Sequence, residues 1–431
     1  MQEQLPTSLF QTWSIMRDSV IIVGGGPAGL MAANVLEKHH IPYLILEKND
    51  QLAKKLLLTG GKRCNVTNER SVAGFIEDLN MPHRKFLYHA LTSFGPKEIK
   101  QFLKDRGLNL LLEEGYKYFP ETHKSLSVLE ALLKDLDQNK IMYQSSVKAI
   151  KKLNDGYVVM TKNQDYHASY VIVATGSNAY PTTGSSGDGI VFANHLGIKT
   201  IPFSPAETYL LSSQVKQKFK HLQGVSIQGT TLKMDGIKQL FHGDLLFTHQ
   251  GLSGPVVLHA SEHVYPLLEK GSIHVRISLT SIPIQDYDQS IANLLDENKT
   301  IVQSLESFTS KRLASTIIEH LHLKKNYLKE LSKKELIDLK NMMYAFPIEI
   351  DSMPSIEHAF VNKGGIAIEE LDQSSMEVKS SSGLYFIGEI TDLQGPIGGY
   401  NLTIAFSTGH LAGESIAKKY NTGWTSSRDF F

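Results

Sequence analysis

The sequence predicts an α/β fold whose opening βαβ unit is interrupted by a β-rich insertion and resumed at the chain end. Three observations predict it. A short apolar run, Val20 to Val23, ends in a glycine-rich turn followed by a helical pattern. From about Ile201 the pattern changes to short β-like runs separated by glycine turns. From Gly383 the earlier style returns, with a strand, a glycine-rich loop and a helix.

The elements follow in order. Ser19 to Val23 reads as a buried strand, Gly24 to Gly29 as a turn, Leu30 to His39 as a helix, and Tyr43 to Leu46 as a second strand ended by Glu47. A βαβ crossover takes about 30 residues, and this stretch has that size. Gly60 to Asn68 is polar and glycine-bearing, hence a loop. Pro96 to Arg106 and Ser125 to Gln138 have amphipathic helical spacing. Ile141 to Lys152, Tyr157 to Thr161 and Tyr170 to Ala174 read as strands, the last running into Thr175, Gly176 and the loop Ser177 to Gly189. In the insertion, Gly224 to Thr230, Lys238 to Leu246 and Ser272 to Leu279 are strand-like. Ile284 to about Met343 turns helical and rich in lysine and glutamate, with Ser332 and Glu335 forming a capping box; its charges read as a solvated face. Leu384 to Ile387 is the last strand, and a helix starts near Leu402. The expected division is an extension (1–17), a nucleotide-binding domain in two parts (18–200 and 381–431, the latter with the C-terminal tail), a β-rich insert in two parts (201–283 and 351–380), and a helical sub-insert (284–350).

Bulk properties narrow the function. At about 150 residues per domain, 431 residues suggest two or three domains. A hydrophobic fraction of 41% and a charged fraction of 20% are those of an ordinary enzyme with a real core. Lys plus Arg equals Asp plus Glu at 44 each, so no global field points to nucleic acid, although local basic patches stay open. Cys64 is the only cysteine, which excludes an internal disulfide framework and suggests a reducing, cytoplasmic setting. No apolar run approaches the roughly 20 residues of a membrane helix. Residues 1–17 lack a signal peptide's basic start and apolar centre; they read as a ragged extension or the product of an upstream start codon. The histidines have no metal-ligand spacing, so no metal is expected.

Gly24-Gly25-Gly26-Pro27-Ala28-Gly29 contains the G-x-G-x-x-G spacing. Gly24 permits the tight turn, Gly26 lets the backbone approach a pyrophosphate, and Gly29 lets the helix lie close to the strand. The helix start then offers unpaired N–H groups and the positive dipole end to phosphates. Alone, such a motif is weak, because a structural glycine turn looks the same. Glu47 ends the second strand near the offset expected of an acid that binds ribose hydroxyls, and its charge disfavours a 2′-phosphate.

Two more segments favour FAD over NAD. Val171-Ile172-Val173-Ala174-Thr175-Gly176 is a strand ending in small residues, a crossing placed close to the dinucleotide in many FAD proteins. Tyr385-Phe386-Ile387-Gly388-Glu389, followed by Gly395, Gly398, Gly399, Tyr400 and Asn401, matches a late strand whose acid bonds the ribityl chain. The helix after it would direct its N-terminus at the flavin ring and stabilise negative charge there.

The loop Thr59-Gly60-Gly61-Lys62-Arg63-Cys64-Asn65-Val66-Thr67-Asn68 is the most distinctive segment. With Thr248-His249-Gln250-Gly251-Leu252-Ser253-Gly254-Pro255 and Gly398-Gly399-Tyr400-Asn401-Leu402, it resembles the YhiN/BaiN-like flavoproteins, also called aminoacetone-oxidase-like or NAD(FAD)-utilizing dehydrogenases. The resemblance runs from about Ser19 to Ala417, and Tyr118-Phe119-Pro120, Gly184 to Gly189 and Gly364-Gly365-Ile366 also match. Lys62 departs from it, standing where the family commonly has a third glycine, and so does Val361-Asn362-Lys363. The resemblance implies a glutathione-reductase-like FAD domain, interrupted by a β-barrel-like insert with a helical piece. It implies redox chemistry on amines or on unsaturated steroid-type compounds, without fixing one.

The candidate cofactor contacts are Gly24, Gly26, Pro27, Ala28, Gly29, Glu47, Lys48, Lys55, Gly60, Gly61, Arg63, Asn65, Val147, Ala174, Thr175, Gly176, Gly388, Glu389, Gly399, Tyr400, Asn401 and Leu402. Lys55 and Arg63 suit a phosphate or the flavin's O2–N3 edge, or else are solvated cations. Asn65 can donate and accept, matching the N3–H and O4 edge. Arg63, His249 and Tyr400 are the candidates for acid/base work. Cys64 lacks a partner cysteine and reads as structural. Ser253 fails as a hydrolase nucleophile, because Pro255 stands where the elbow needs glycine.

The expected activity is hydride transfer between flavin and a small amine or an unsaturated or keto compound. Only one dinucleotide turn is present, which favours direct transfer from substrate to flavin with a second acceptor such as oxygen; the alternative is NAD(P)H as a transient donor to a flavin that then reduces an unsaturated compound. The rivals are an RNA-modifying flavoprotein, disfavoured by the neutral charge and the solitary Cys64 so that nucleic acid is not the expected partner, and a non-catalytic flavin sensor. The oligomeric state is not legible.

Overall fold

A parallel sheet dictates where a site lies, and this chain builds one at its start. The computed structural model describes residues 19–295 and 298–426; the expected extension, 1–17, lies outside the described residues. The chain forms two units, Met1–Ser204 with Val361–Phe431, and Pro205–Phe360.

The first unit is organised by five strands: β1 (Val20–Val23), β2 (Tyr43–Leu46), β3 (Ile141–Met142), β4 (Tyr170–Val173) and β5 (Leu384–Phe386). They lie in the order β5-β4-β1-β2-β3, and every pair is parallel. All residues of β1 and β2 are buried, as strands covered on both faces require. Helix α1 (Pro27–Lys38) follows β1, and helix α2 (Tyr400–Ser426) closes the unit. The two helices meet at glycines. A Cβ on Gly409 would stand 2.3 Å from the Ala28 carbonyl oxygen, and one on Gly413 would stand 2.7 Å from Val35 Cβ. Helix α2 thus packs directly on α1 at Gly409 and Gly413.

Two expectations about this unit need correction. Ile141 to Lys152 is two strands. Gln144 takes a left-handed φ of 53°, and its N–H bonds the Asn49 carbonyl at 2.9 Å. Val147–Leu153 therefore turns away into a three-stranded antiparallel sheet with Gly156–Thr161 and Asp165–Ala168. The segment 361–380, expected in the insert, belongs to the first unit. Val361–Ile366 pairs with Thr200–Glu207, and the Gly364 N–H donates to Asp392 Oδ1 at 2.8 Å. Leu371, Met376 and Val378 are buried in the core of the β1–β5 sheet.

The second unit holds an antiparallel six-stranded sheet in the order Leu210–Leu211, Gly251–Ser253, Leu240–Phe247, Ser226–Met234, Ile273–Ile277, Phe346–Ile350. A single antiparallel bridge, Leu211 to Ser352, joins its two edges. Helices Tyr287–Ala292, Ile301–Leu305, Lys311–His320 and Lys333–Tyr344 interrupt it before its last strand. The expected capping box forms: Glu335 N–H donates to Ser332 Oγ at 3.3 Å, and Ser332 N–H to Glu335 Oε2 at 2.7 Å. Among the described residues no helix is long and apolar enough to cross a membrane.

Candidate functional site

In an open parallel sheet, ligands bind beyond the carboxyl ends of the strands, where the chain leaves in opposite directions. Here β1 has β2 on one side and β4 on the other, so the crevice falls beyond β1. The predicted residues converge there from four strands.

From β1 comes the glycine turn. Gly24 has a φ of 106°, and a Cβ on it would lie 2.6 Å from the Ala174 carbonyl oxygen. A Cβ on Gly29 would lie 2.2 Å from the Gly24 carbonyl oxygen. These two glycines are demanded by the protein itself. Gly26 differs: a Cβ there would meet nothing within 4 Å. Gly26 is the N-cap of α1, and no side chain caps the first N–H groups of the helix. A glycine that the protein does not need, at an uncapped helix start, fits a group held against the backbone.

From β2 comes Glu47, 6% exposed. Its carboxylate accepts from Gly25 N–H at 2.9 Å and from Asn49 N–H at 2.8 Å. It is thereby fixed beside the turn as a hydrogen-bond acceptor. Lys48, next along, is paired with Asp188 at 2.6 Å and bonded to Ser186.

From β4 come Ala174, Thr175 and Gly176. Thr175 Oγ1 is buried without a hydrogen-bond partner. An orphaned hydroxyl costs free energy unless a missing partner completes it. From β5 come Gly388 and Glu389. A Cβ on Gly388 would stand 2.8 Å from Ala28 Cβ, which places this loop at the start of α1. Glu389 pairs with Lys55 at 2.6 Å, both about three-quarters buried. Glu389 Oε2 also lies 4.0 Å from a Cβ placed on Gly176.

The closing loop and the distinctive loop form the other end. Gly399 has a φ of 85°, and a Cβ on it would lie 2.6 Å from the Thr67 backbone. Thr67 Oγ1 and Thr403 Oγ1 are 2.8 Å apart. Turned so that both its ends are satisfied, the Asn65 amide donates to the carbonyls of Tyr118 and Thr67 and accepts from Gly399 N–H at 3.1 Å. Asn401 staples its loop through two bonds with Gly395, at 2.9 and 2.7 Å. Gly60 and Gly61 are left-handed, as is Lys62 with a φ of 73°, a conformation that explains a glycine preference there. Gln394, beside this loop, has a buried Oε1 without a partner; its only signal in the sequence is its neighbour Gly395. Leu402 lies in the first turn of α2, half-buried, and Val147 opens its strand, buried.

The acid/base candidates separate. The Tyr400 hydroxyl is bonded to Asp78, which also pairs with Arg70 at 2.7 Å, and the ring rests 4.6 Å from Phe75. Burial, reinforced by Asp78, pushes its phenol up to about 12. Its hydroxyl is committed to holding the start of α2. Arg63 is paired with Glu113, and its guanidinium lies 4.4 Å above Phe119. His249 is exposed on the turn between Leu240–Phe247 and Gly251–Ser253, in the second unit. Cys64 is buried, and burial pushes its thiol up to about 12. A thiol so placed stays protonated and unreactive.

This fold and this cradle define an FAD-dependent oxidoreductase of Rossmann type. The chain belongs to the HI0933-like protein Rossmann domain family, whose model matches residues 18–415. It is 29% identical, over 92% of its length and 98% of the other's, to a 3-dehydro-bile acid delta(4,6)-reductase from Clostridium scindens. It is 26% identical, over 93% and 98% respectively, to a ribosomal RNA dihydrouridine synthase from Haemophilus influenzae. Among solved structures it is similar to an open-conformation flavocytochrome c3 fumarate reductase, with a TM-score of 0.51 and 17% identity, covering 97% of this chain and 82% of that one. A 3-ketosteroid-delta4-(5alpha)-dehydrogenase from Rhodococcus jostii is similar at a TM-score of 0.51 and 15% identity, covering 93% of this chain and 97% of that one. At these identities the structures show a shared fold.

Proposed function

We propose that this chain binds FAD along the crevice from the glycine turn to the closing loop, and reduces a carbon–carbon double bond conjugated to a carbonyl. The observation that carries the cofactor reading is Gly26: an open glycine at an uncapped helix start, beside a buried carboxylate and an orphaned threonine hydroxyl. When bound, FAD supplies the two-electron relay by which the double bond gains a hydride on one carbon and a proton on the other.

The chain's own residues divide the work. The N–H groups at the start of α1 hold the pyrophosphate. Glu47 accepts from ribose hydroxyls and repels a 2′-phosphate. Thr175, Gly176 and Glu389 line the middle of the cofactor, with Lys55 neutralising Glu389. The start of α2, pinned by Asn65, Asn401 and Tyr400, brings its positive dipole end toward the ring and favours the reduced, anionic form. The inserted sheet, whose edges meet at Leu211 and Ser352, is read as barrel-like, as the family resemblance implies.

The reductive direction is supported by the two relatives' names. A delta(4,6)-reductase and a dihydrouridine synthase both saturate a carbon–carbon bond. With one dinucleotide turn in the chain, NAD(P)H is read as a transient donor. Two substrates fit this chemistry: a small enone, and uridine within RNA. The first is supported by the bile acid reductase from Clostridium scindens at 29% identity, the second by the ribosomal RNA dihydrouridine synthases from Haemophilus influenzae and Escherichia coli at 26% and 25%.

The test is anaerobic. The yellow holoprotein is bleached with NADH or NADPH, then offered a 3-keto-4-ene steroid or a uridine-containing ribosomal RNA transcript. Return of the flavin colour, with a saturated product, is expected. Reoxidation by oxygen alone, or bleaching by amines and not by nicotinamides, would contradict the reductase reading.

A further inference from the structure

We infer that Lys117 is the cation that stabilises the negative charge of the reduced flavin, acting on the ring from the hairpin that flanks the closing loop. This rests on the reading that FAD lies along the crevice with its ring at the start of α2.

The hairpin places the side chain. Strands Leu110–Glu113 and Lys117–Pro120 pair antiparallel, and Thr67–Asn68 pairs along the other side of Lys117–Pro120. Gly115 and Tyr116 turn the hairpin with left-handed φ of 73° and 61°. Lys117 stands opposite Glu113 in one neighbouring strand and opposite Asn68 in the other. The Asn68 amide donates to the Gly398 carbonyl at 3.4 Å, which ties this sheet to the closing loop. The end of the Lys117 side chain lies at the same place. A Cβ on Gly398 would stand 3.7 Å from Lys117 Cε and 3.6 Å from the Tyr400 ring. Since α2 begins at Tyr400, the ammonium is delivered to the positive end of that helix.

Burial without pairing sets this lysine apart. In the first unit Lys48, Lys54, Lys55, Lys100, Lys140 and Lys419 are half-buried like Lys117, and each pairs with a carboxylate at 2.5 to 2.8 Å. Lys363, also half-buried, is engaged too. Among the described residues Lys117 has no such partner. The carboxylate opposite it, Glu113, is taken by Arg63. Glu69 and Asp78, further acids of this end, are taken by Lys100 and Arg70, and Glu114 stays exposed in the turn. An exposed lysine needs no partner, because water solvates it. A half-buried ammonium has given up part of its hydration, and an anion is what offsets that cost. The cofactor brings two negative groups to the crevice. Its pyrophosphate belongs at the start of α1, and the hairpin lies at the other end, where the ring gains negative charge on reduction. Lys117 there adds a full charge to the partial charge of the helix end.

The experiment compares the wild-type holoprotein with three variants. Lys117→Met keeps the packing on Gly398 and removes the charge, Lys117→Gln is a second neutral side chain, and Lys117→Arg keeps the charge. Each protein is titrated with oxidised FAD, and its midpoint potential is then measured anaerobically against reference dyes. Both neutral variants should bind oxidised FAD as the wild type does. Their preference for reduced over oxidised FAD should fall about tenfold, which lowers the potential of a two-electron couple by about 30 mV. Lys117→Arg should restore most of the wild-type potential. An unchanged potential in both neutral variants would overturn the inference. An equal drop in Lys117→Arg would overturn it too, since packing and not charge would then be the cause. Weaker binding of oxidised FAD at an unchanged potential would make Lys117 a phosphate contact, and likewise overturn it. Each of these results leaves the FAD reading standing. Failure of the wild-type protein to take up FAD would instead remove that reading, and this inference with it.

Discussion

Replacing Gly26 with alanine separates what the fold needs from what the cofactor needs. Gly26 has φ −82° and ψ 179°, which any residue adopts, and a Cβ there meets no protein atom within 4 Å. The apoprotein should therefore be unharmed, or stabilised by about 0.4–1 kcal/mol because the unfolded chain loses freedom. The cofactor should suffer. A methyl group between the helix start and a pyrophosphate removes a charge-assisted hydrogen bond worth about 1.5–3 kcal/mol. That corresponds to roughly 10- to 150-fold weaker FAD binding. Gly29→Ala is the contrasting variant, since its Cβ would stand 2.2 Å from a backbone carbonyl oxygen that cannot yield. It should cost about 1–3 kcal/mol of apoprotein stability. Thermal unfolding of the stripped proteins and FAD titration by fluorescence quenching give both quantities. Wild-type FAD affinity in Gly26→Ala, or a destabilised apoprotein, would refute the reasoning.

Other outcomes follow from the same geometry. Gly409→Ala should lower stability by about 1–3 kcal/mol in denaturant unfolding, because its Cβ would meet the Ala28 carbonyl oxygen at 2.3 Å. His410 is stacked on Phe94 and buried among Glu414, Lys38, His39 and Glu98; burial lowers its pKa from 6.5 to about 4. The unfolded chain binds that proton more readily, so this contribution is complete above pH 6.5 and is lost as pH falls toward 4, on the order of 3 kcal/mol in all. His410→Leu should flatten the pH dependence of unfolding across that window. Cys64 should resist thiol reagents in the native protein and react only on denaturation, and Cys64→Ala should keep flavin reduction by nicotinamide. Lys62→Gly should change stability by less than about 1 kcal/mol, as relief of the left-handed backbone offsets the freedom gained by the unfolded chain.

The parts of the candidate site that were legible in the sequence are those whose chemistry is local. The turn Gly24–Gly29 follows its strand and opens its helix within one short stretch, and Glu47 ends the next strand. Periodicity and glycine placement are enough there. The return of the chain end was legible as a repeated style, and the structure supplies the physical reason in Gly388 and Gly409 against Ala28. What was not legible depends on distant partners. Lys55 meets Glu389 across 334 residues, and Tyr400 meets Asp78 across 322, so roles suggested by residue type alone gave way to pairing. Val361–Ile366 read as insert because its partner, Thr200–Glu207, lies at the other end of the inserted unit. Ile141 to Lys152 read as one strand because the left-handed Gln144 leaves no mark on an apolar pattern.

Amide hydrogen exchange on stripped and FAD-reconstituted protein addresses the central claim most directly. If one FAD spans the crevice, the backbone of Gly24–Gly29 and that of Gly395–Asn401 should slow together as a single equivalent of FAD is added. Protection of only one stretch, or of neither at saturating FAD, would contradict the account.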